Sequence, residues 1–324
     1  MTAPRRKILI DTDTASDDAV ALIMALRSPL VEVAAITVVA GNVAVDQATR
    51  NALYTAELCG SDVAVHTGAA APLLRTLETA HWFHGKDGLG DHGYAPTHRT
   101  AELTHAVDAI IATVTANPGI EVITLGPLTN LALALKREPG LVKNIARCVV
   151  MGGAPCCEGN VTPAAEFNIW VDPEAARIVF RSGLAIEMIG WQLCRYDAAL
   201  NVADIAEVLA LDNPLADFAI RCNSTGAAAY RIQTGEDGIS LPDPIAMAIL
   251  LNPALNLHFS QHFVEIEIAS ELTRGMTVVD RLNVTADGRN RPVWAETLAQ
   301  SAPCDLCWKL DVPGWKSLLI ESLR

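Results

Sequence analysis

Short continuous apolar runs alternate along the chain with segments whose apolar positions recur at helical spacing, the pattern of parallel strands joined by crossover helices. Residues 6–10 predict a buried strand, 17–27 a helix, 31–39 the next strand and 46–58 a helix again. Helix and strand then follow in pairs at 103–116 and 121–125, at 128–136 and 146–151, and at 173–182 and 185–189. Residues 202–251 read as mainly helical with a Gly-rich interruption at 234–238, followed by strand-like stretches at 263–268 and 276–279 and a helix at 315–323. Strands that are continuously apolar, not alternating, imply cover on both faces. No low-complexity linker, charge block or internal repeat marks a boundary, so residues 1–324 predict one α/β domain. Its central sheet would be mostly parallel and Rossmann-like, with helices on both faces. Ligands bind beyond the carboxyl ends of such strands. That rule points to residues 11–18, 40–42, 125–130 and 151–160.

Composition narrows the class. The 324 residues are 51% hydrophobic and 19% charged, enough for a large core and incompatible with intrinsic disorder. With 24 Lys and Arg against 37 Asp and Glu the net charge is −13, which repels phosphate backbones and anionic lipid. Neither nucleic acid nor membrane is an expected partner. The longest apolar run, 19–26, falls far short of the roughly 20 residues that span a bilayer. Arg5, Arg6 and Lys7 precede only three apolar residues before an aspartate, so a soluble, cytosolic protein is expected. The eight cysteines then read as reduced thiols. Cys156-Cys157 and Cys304-x-x-Cys307 lack the flanking histidine or second knuckle of a zinc site.

The chemistry concentrates where the first strand meets the first helix. Asp11, Asp13, Asp17 and Asp18 lie within eight residues between two apolar segments. Asp11 and Asp13 are expected on one face of the strand end, and Asp17 and Asp18 in the first helical turn, with Ser16 as N-cap. A helix N-terminus stabilises one such anion by about 0.3 to 1 kcal/mol, less than four crowded charges repel one another. A hard divalent cation with oxygen ligands, calcium or magnesium, would relieve them. Taken singly, each aspartate reads as a helix cap or a solvated strand end. Asp243, between Pro242 and Pro244, is either an N-cap or a further ligand, or both. Asn160, Glu166 and Asn168 offer amides and a carboxylate suited to sugar hydroxyls, or simple turn chemistry.

The opening Asp11-Thr-Asp13-Thr-Ala-Ser-Asp17-Asp18 resembles the signature of the nucleoside hydrolases, the calcium-dependent N-ribohydrolases of inosine-uridine preferring type. Ala40-Gly-Asn42, the stretch from His84 to Gly90, Gly126 to Asn130, Met151-Gly-Gly153, Glu166-Phe-Asn168 with Asp172 to Ala176, Leu241 to Ala248 and Arg274 to Asp280 follow in family order. The resemblance covers nearly the whole chain. It implies the nucleoside hydrolase fold, a homo-oligomer (dimer or tetramer), and hydrolysis of ribonucleosides to ribose and free base. It further implies calcium held by Asp13, Asp18, the main-chain carbonyl of Leu125 and Asp243, with Asp13 taking a proton from the attacking water. Asp17, Asn42 and Asn168 would bind the ribose 2′ and 3′ hydroxyls, and Asn160 and Glu166 the 5′ hydroxyl. A carboxylate-lined site suits an oxocarbenium-like ribosyl cation, and direct attack by water implies inversion at C1′.

Two positions depart from the family pattern. Thr14-Ala15 stands where members often carry Pro-Gly. Pro242 stands where many carry a histidine as leaving-group acid, and proline cannot donate a proton. Trp82, His84, Trp191, Tyr230 and Arg231 are the candidates to assist the base, Trp82 by stacking. Base specificity stays open. Two other classes compete. A haloacid-dehalogenase-like phosphatase would use Asp11 as nucleophile with magnesium but expects threonine at Ala15. A ribose or nucleoside binding protein that lost turnover would fit Pro242, yet would have no need of Asp13.

Overall fold

The computed structural model describes residues 5–324. Its strands are β1 (Arg6–Thr12), β2 (Val31–Val38), β3 (Val65–Thr67), β4 (Ile120–Thr124), β5 (Ile145–Met151), β6 (Ile186–Ile189), β7 (Asn256–Ile266), β8 (Thr277–Val279) and β9 (Pro303–Leu310). The helices are α1 (Ser16–Arg27), α2 (Val45–Leu58), α3 (His81–His84), α4 (Ala106–Ala116), α5 (Thr129–Arg137), α6 (Phe167–Val171) and α7 (Pro173–Phe180). After them come α8 (Val202–Leu209), α9 (Pro214–Arg221), α10 (Ser224–Thr234), α11 (Pro242–Leu251), α12 (Arg291–Gln300) and α13 (Val312–Leu323).

The strands form one sheet in the order β3-β2-β1-β4-β5-β6-β9-β7-β8. From β3 to β9 every pairing is parallel, and β7 and β8 add an antiparallel edge. Side chains alternate across the sheet as the pleat requires. Ile8 and Ile10 enter the core under α1, α2, α11 and α13, while Leu9 enters the core under α4, α5 and α7. Burial on both faces is why these strands read as unbroken apolar runs. Among the described residues no helix is long and apolar enough to cross a membrane.

Several elements lie beyond what periodicity marks. In β9, Asp305 and Lys309 interrupt the apolar run. Helix α12 buries no residue at all, so it carries no apolar stripe to detect. Strand β3 has only three residues. The strand expected at 263–268 begins earlier, at Asn256, because its first half pairs with β9 through exposed positions. The interruption at 234–238 is the stop of α10, where Gly235 takes a left-handed φ of 75°. Cys304 and Cys307 enter the cores on opposite faces of β9 and cannot share one ion.

Two buried helices bring the loops at the carboxyl rim together. α1 packs on α11, and α11 is buried from Asp243 to Leu251. At the far end of α11, Arg6 Nη2 donates to the carbonyls of Leu250 at 3.0 Å and Leu251 at 2.9 Å, and Arg147 reaches those of Ile249 and Leu250. These guanidiniums satisfy orphan carbonyls and complement the negative helix end, which leaves the N-terminal end of α11 at the rim. At the rim itself, Asn130 Nδ2 donates to Asp11 Oδ1 at 2.9 Å and to the Val38 carbonyl at 3.0 Å, while its Oδ1 accepts from Ala69 N. This fully buried amide ties β1, β2 and α5 together. Asn130→Ala removes the amide's bonds to the Asp11 carboxylate, which keeps only Thr37, to the Val38 carbonyl and to Ala69 N, and is expected to cost about 2 to 4 kcal/mol. Chemical-denaturation midpoints measure the loss, and an unchanged midpoint refutes this role.

Candidate active site

The acidic pit is built by the end of β1 and the first turns of α1 and α11. Asp13 leaves β1 and inserts its carboxylate between two backbone corners. Asn42 N donates to Asp13 Oδ2 at 2.6 Å. A Cβ at Gly41 would lie 2.1 Å from that oxygen, and one at Gly126 would lie 2.6 Å from Oδ1, so only glycine leaves the slot open. Asp18 accepts from Thr12 Oγ1 and, at 2.9 Å, from Ala15 N. The cap of α1 is therefore Ala15, secured by Asp18, and not Ser16 as expected. The Ser16 hydroxyl instead meets His84 Nδ1 at 2.8 Å.

Oxygens of Asp17, Asp18 and Asp243 lie within 4.8 Å of one another. The resemblance names Asp13 with Asp18 and Asp243, whereas this trio contains Asp17, the neighbour of Asp18 in the first turn of α1. All four side chains are buried. Asp13 Oδ1 and Asp17 Oδ1 have no hydrogen-bond partner. Burial first, and the adjacent carboxylates second, push Asp13 and Asp243 well above the usual carboxylate range and Asp17 up to about 8. Burial also raises Asp18, against the hydrogen bonds from Thr12 and Ala15. Crowded buried oxygens with orphaned lone pairs, and no sulfur or imidazole among them, fit a hard divalent cation.

The pit opens into a concave pocket at the carboxyl rim, lined by polar and aromatic side chains together. Asp17, Asn42, Leu125 and Asp243 line its floor with Asn168, whose Nδ2 donates to the Leu125 carbonyl at 2.8 Å. Glu166 caps α6, accepting from Asn168 N at 2.9 Å and Gly153 N at 2.8 Å. Asn160 lines the wall, and its Oδ1 accepts from Phe167 N at 2.9 Å. His84, Trp82 and Trp191 line the cavity as well, with Trp82 54% exposed at the mouth. Burial holds the His84 imidazole at about 3, so at neutral pH it is uncharged.

Three expectations need correction. Asp11 does not join the other carboxylates: it accepts from Thr37 Oγ1 at 2.6 Å and from Asn130, because the chain turns after Thr12 and separates it from Asp13. Tyr230 is fully buried and directs its hydroxyl to Glu236, away from the cavity. Arg231 projects outward and pairs with Asp237 at 3.2 Å. The same helix α10 supplies Gln233 to the cavity, joined by Phe83, Phe167 and Ser240. A lone glutamine on a partly exposed helix carries no sequence signal of this kind.

A carboxylate pit opening into a small-molecule cavity at the carboxyl edge of parallel strands defines an α/β enzyme, not a macromolecular binding surface. Comparison with known proteins gives the family: the inosine-uridine preferring nucleoside hydrolase family matches residues 8–314, and the chain belongs to it. It is 40% identical to the pyrimidine-specific ribonucleoside hydrolase RihA of Shewanella woodyi, over 98% of each chain. It is 35% identical to the pyrimidine-specific ribonucleoside hydrolase RihB of Escherichia coli, over 89% of this chain and 92% of that one. Among solved structures, the plant nucleoside hydrolase PpNRh1 superposes with a TM-score of 0.91 at 32% identity over 99% of both chains. An inosine-guanosine nucleoside hydrolase gives 0.88 at 28% identity over 98% of this chain and 99% of that one.

The raised carboxylates make stability depend on pH. With the folded values of Asp11 and Asp17 lifted from 3.8 to about 7 and about 8, the native state holds more protons than the unfolded chain between those limits. Stability of the chelator-treated protein is therefore expected to fall as pH rises from about 4 to about 8. Added calcium is expected to raise Tm more at the alkaline end, where it displaces fewer protons. Differential scanning calorimetry across this range, with chelator and with calcium, checks both. A flat Tm in chelator would refute the electrostatic account.

Proposed function

We propose that the chain hydrolyses the N-glycosidic bond of ribonucleosides, giving ribose and the free base, in a calcium-dependent reaction with Asp13 as general base. The observation that carries this reading is the orphaned Asp13 Oδ1, fully buried in one acidic cluster with Asp18, Asp17 and Asp243, the last two of which line the cavity beside its amides. Asp13, Asp18, Asp243 and the Leu125 carbonyl would hold the cation. When bound, calcium neutralises these carboxylates and lowers the pKa of a water.

Asp13, pinned by Asn42 N and confined by Gly41 and Gly126, keeps one oxygen free to take that water's proton. Asp17, Asn42 and Asn168 bind the ribose 2′ and 3′ hydroxyls, and Asn160 and Glu166 the 5′ hydroxyl. Holding the sugar this way presents C1′ to the water and surrounds the developing ribosyl cation with negative charge. Attack from one side without a covalent intermediate inverts C1′. At the base end, Trp82 offers a stacking face. A neutral His84 provides one N–H at most, and Pro242 none. Because RihA and RihB are named pyrimidine-specific, uridine and cytidine are the first substrates to test, with inosine beside them.

Asp13→Asn is expected to fold normally and to lose about 10²- to 10⁴-fold in kcat. Asp243→Ala is expected to raise the calcium concentration needed for half-maximal activity. Ribose release measured against calcium concentration checks both. Wild-type turnover by Asp13→Asn refutes the base, and tight uridine binding with no ribose released in any calcium concentration refutes hydrolysis itself.

A further inference from the structure

The mouth of the cavity lies between two walls that come from different parts of the chain. One is the loop at 155–165, which carries Asn160. The other is α10 with the segment that follows it, which carries Gln233 and Glu236. The loop is held mostly by itself: Gly159 N donates to the Pro163 carbonyl, Asn160 N to the Ala165 carbonyl, and Asn160 Oδ1 accepts from Phe167 N. Its ties to the opposite wall are few. Inside the cavity, Gln233 Nε2 donates to the Asn160 carbonyl.

Outside it stands Arg195, from the segment after β6 and from neither wall. Its Nη1 pairs with Glu158 on the loop, and its Nη2 lies 2.7 Å from Glu236 Oε1 beyond α10. The guanidinium stacks 4.7 Å over the Tyr196 ring, and its side chain is only 13% exposed. Glu236 is fixed in turn by the Tyr230 hydroxyl and by Tyr196 N at 3.3 Å. Tyr196 adopts a left-handed φ of 56°, a conformation uncommon for a non-glycine residue. That turn places its N–H on Glu236 and its ring under the guanidinium. A planar fork can engage two carboxylates at once, which an ammonium at the end of a flexible stem does less well.

We propose that Arg195 is a positioning residue: it clasps the Asn160 loop to the α10 wall and so sets the width of the cavity mouth. It touches neither the floor carboxylates nor the cavity, so it governs substrate capture and leaves bond cleavage to the floor. The kinetic half of this proposal rests on the ribonucleoside hydrolase reading; the structural half does not.

Three variants test it: Arg195→Ala, Arg195→Lys and Glu158→Gln, the last removing the charge from one arm at an exposed carboxylate. For Arg195→Ala, KM for the best ribonucleoside is expected to rise roughly tenfold while kcat changes less than about twofold, the pattern of lost uniform binding. Arg195→Lys recovers only part of that KM. Hydrogen exchange of the calcium-loaded enzyme, without substrate, is expected to quicken at 156–161 and 233–240 in Arg195→Ala and at 156–161 in Glu158→Gln. Should Arg195→Ala fail to fold, Glu158→Gln decides alone, through its exchange at 156–161 and a smaller rise in KM. Unchanged KM and unchanged exchange overturn the clasp, as does a loss confined to kcat. If the wild-type enzyme releases no ribose, the hydrolase reading fails while the exchange rates still judge the clasp.

Discussion

Everything at this site follows from the cost of burying several carboxylates side by side. Asp13, Asp17, Asp18 and Asp243 have almost no contact with solvent, and Asp17 and Asp18 raise the affinity of Asp13 and Asp243 for protons. Such an arrangement persists only when the surrounding fold over-determines it. Two helix N-termini supply part of the compensation, since α1 and α11 both start at the pit. The remainder of the fold pins those helices. Arg6 and Arg147 hold the opposite end of α11, and Asn130 binds the strand ends on which Asp11 and Asp13 sit. The arginines at the lower edge of the sheet thus serve the chemistry at its upper edge, through one buried helix between them.

How much of this is legible in the sequence depends on how local each feature is. The carboxylates of the first loop are adjacent in the chain, so strand periodicity and helix-start chemistry place them with no knowledge of the fold. Asp243 is distant but marked by its flanking prolines, which require a helix to begin there. The parallel sheet is legible because burial on both faces leaves unbroken apolar runs. Features whose meaning depends on a partner are not legible. Asp11 belongs to the same motif as Asp13, yet Thr37 and Asn130 claim it. Tyr230 and Arg231 lie on the helix that lines the cavity, but on its other sides, and Gln233 faces inward instead. Strand β9 is recognised as a strand only by the edges of β6 and β7 between which it lies.

The two ends of the cavity are also built differently. Its floor is made of strand ends, helix first turns and glycine-lined slots, elements fixed by the core on both faces. Its outer walls are the short helix α3 with Trp82 and Phe83, the Asn160 loop and the end of α10. Groups that must be placed to within a fraction of an ångström belong on rigid elements, and groups that select among ligands belong on segments that vary. The acidic cluster falls on the first kind of support and the aromatic side chains Trp82 and Phe83 on the second.

This division gives the fold one rigid end and one adaptable end, and relatives named for pyrimidine ribonucleosides and a solved neighbour named for inosine and guanosine align along nearly the full chain. It also accounts for the tolerance of Pro242. That residue sits at the junction, its backbone starting the helix that delivers Asp243 while it lines the cavity. Proline at the first helical position sacrifices no hydrogen bond and fixes φ where the helix needs it. Pro242 therefore keeps the helix start that delivers Asp243 while placing at the cavity a ring that cannot donate a proton.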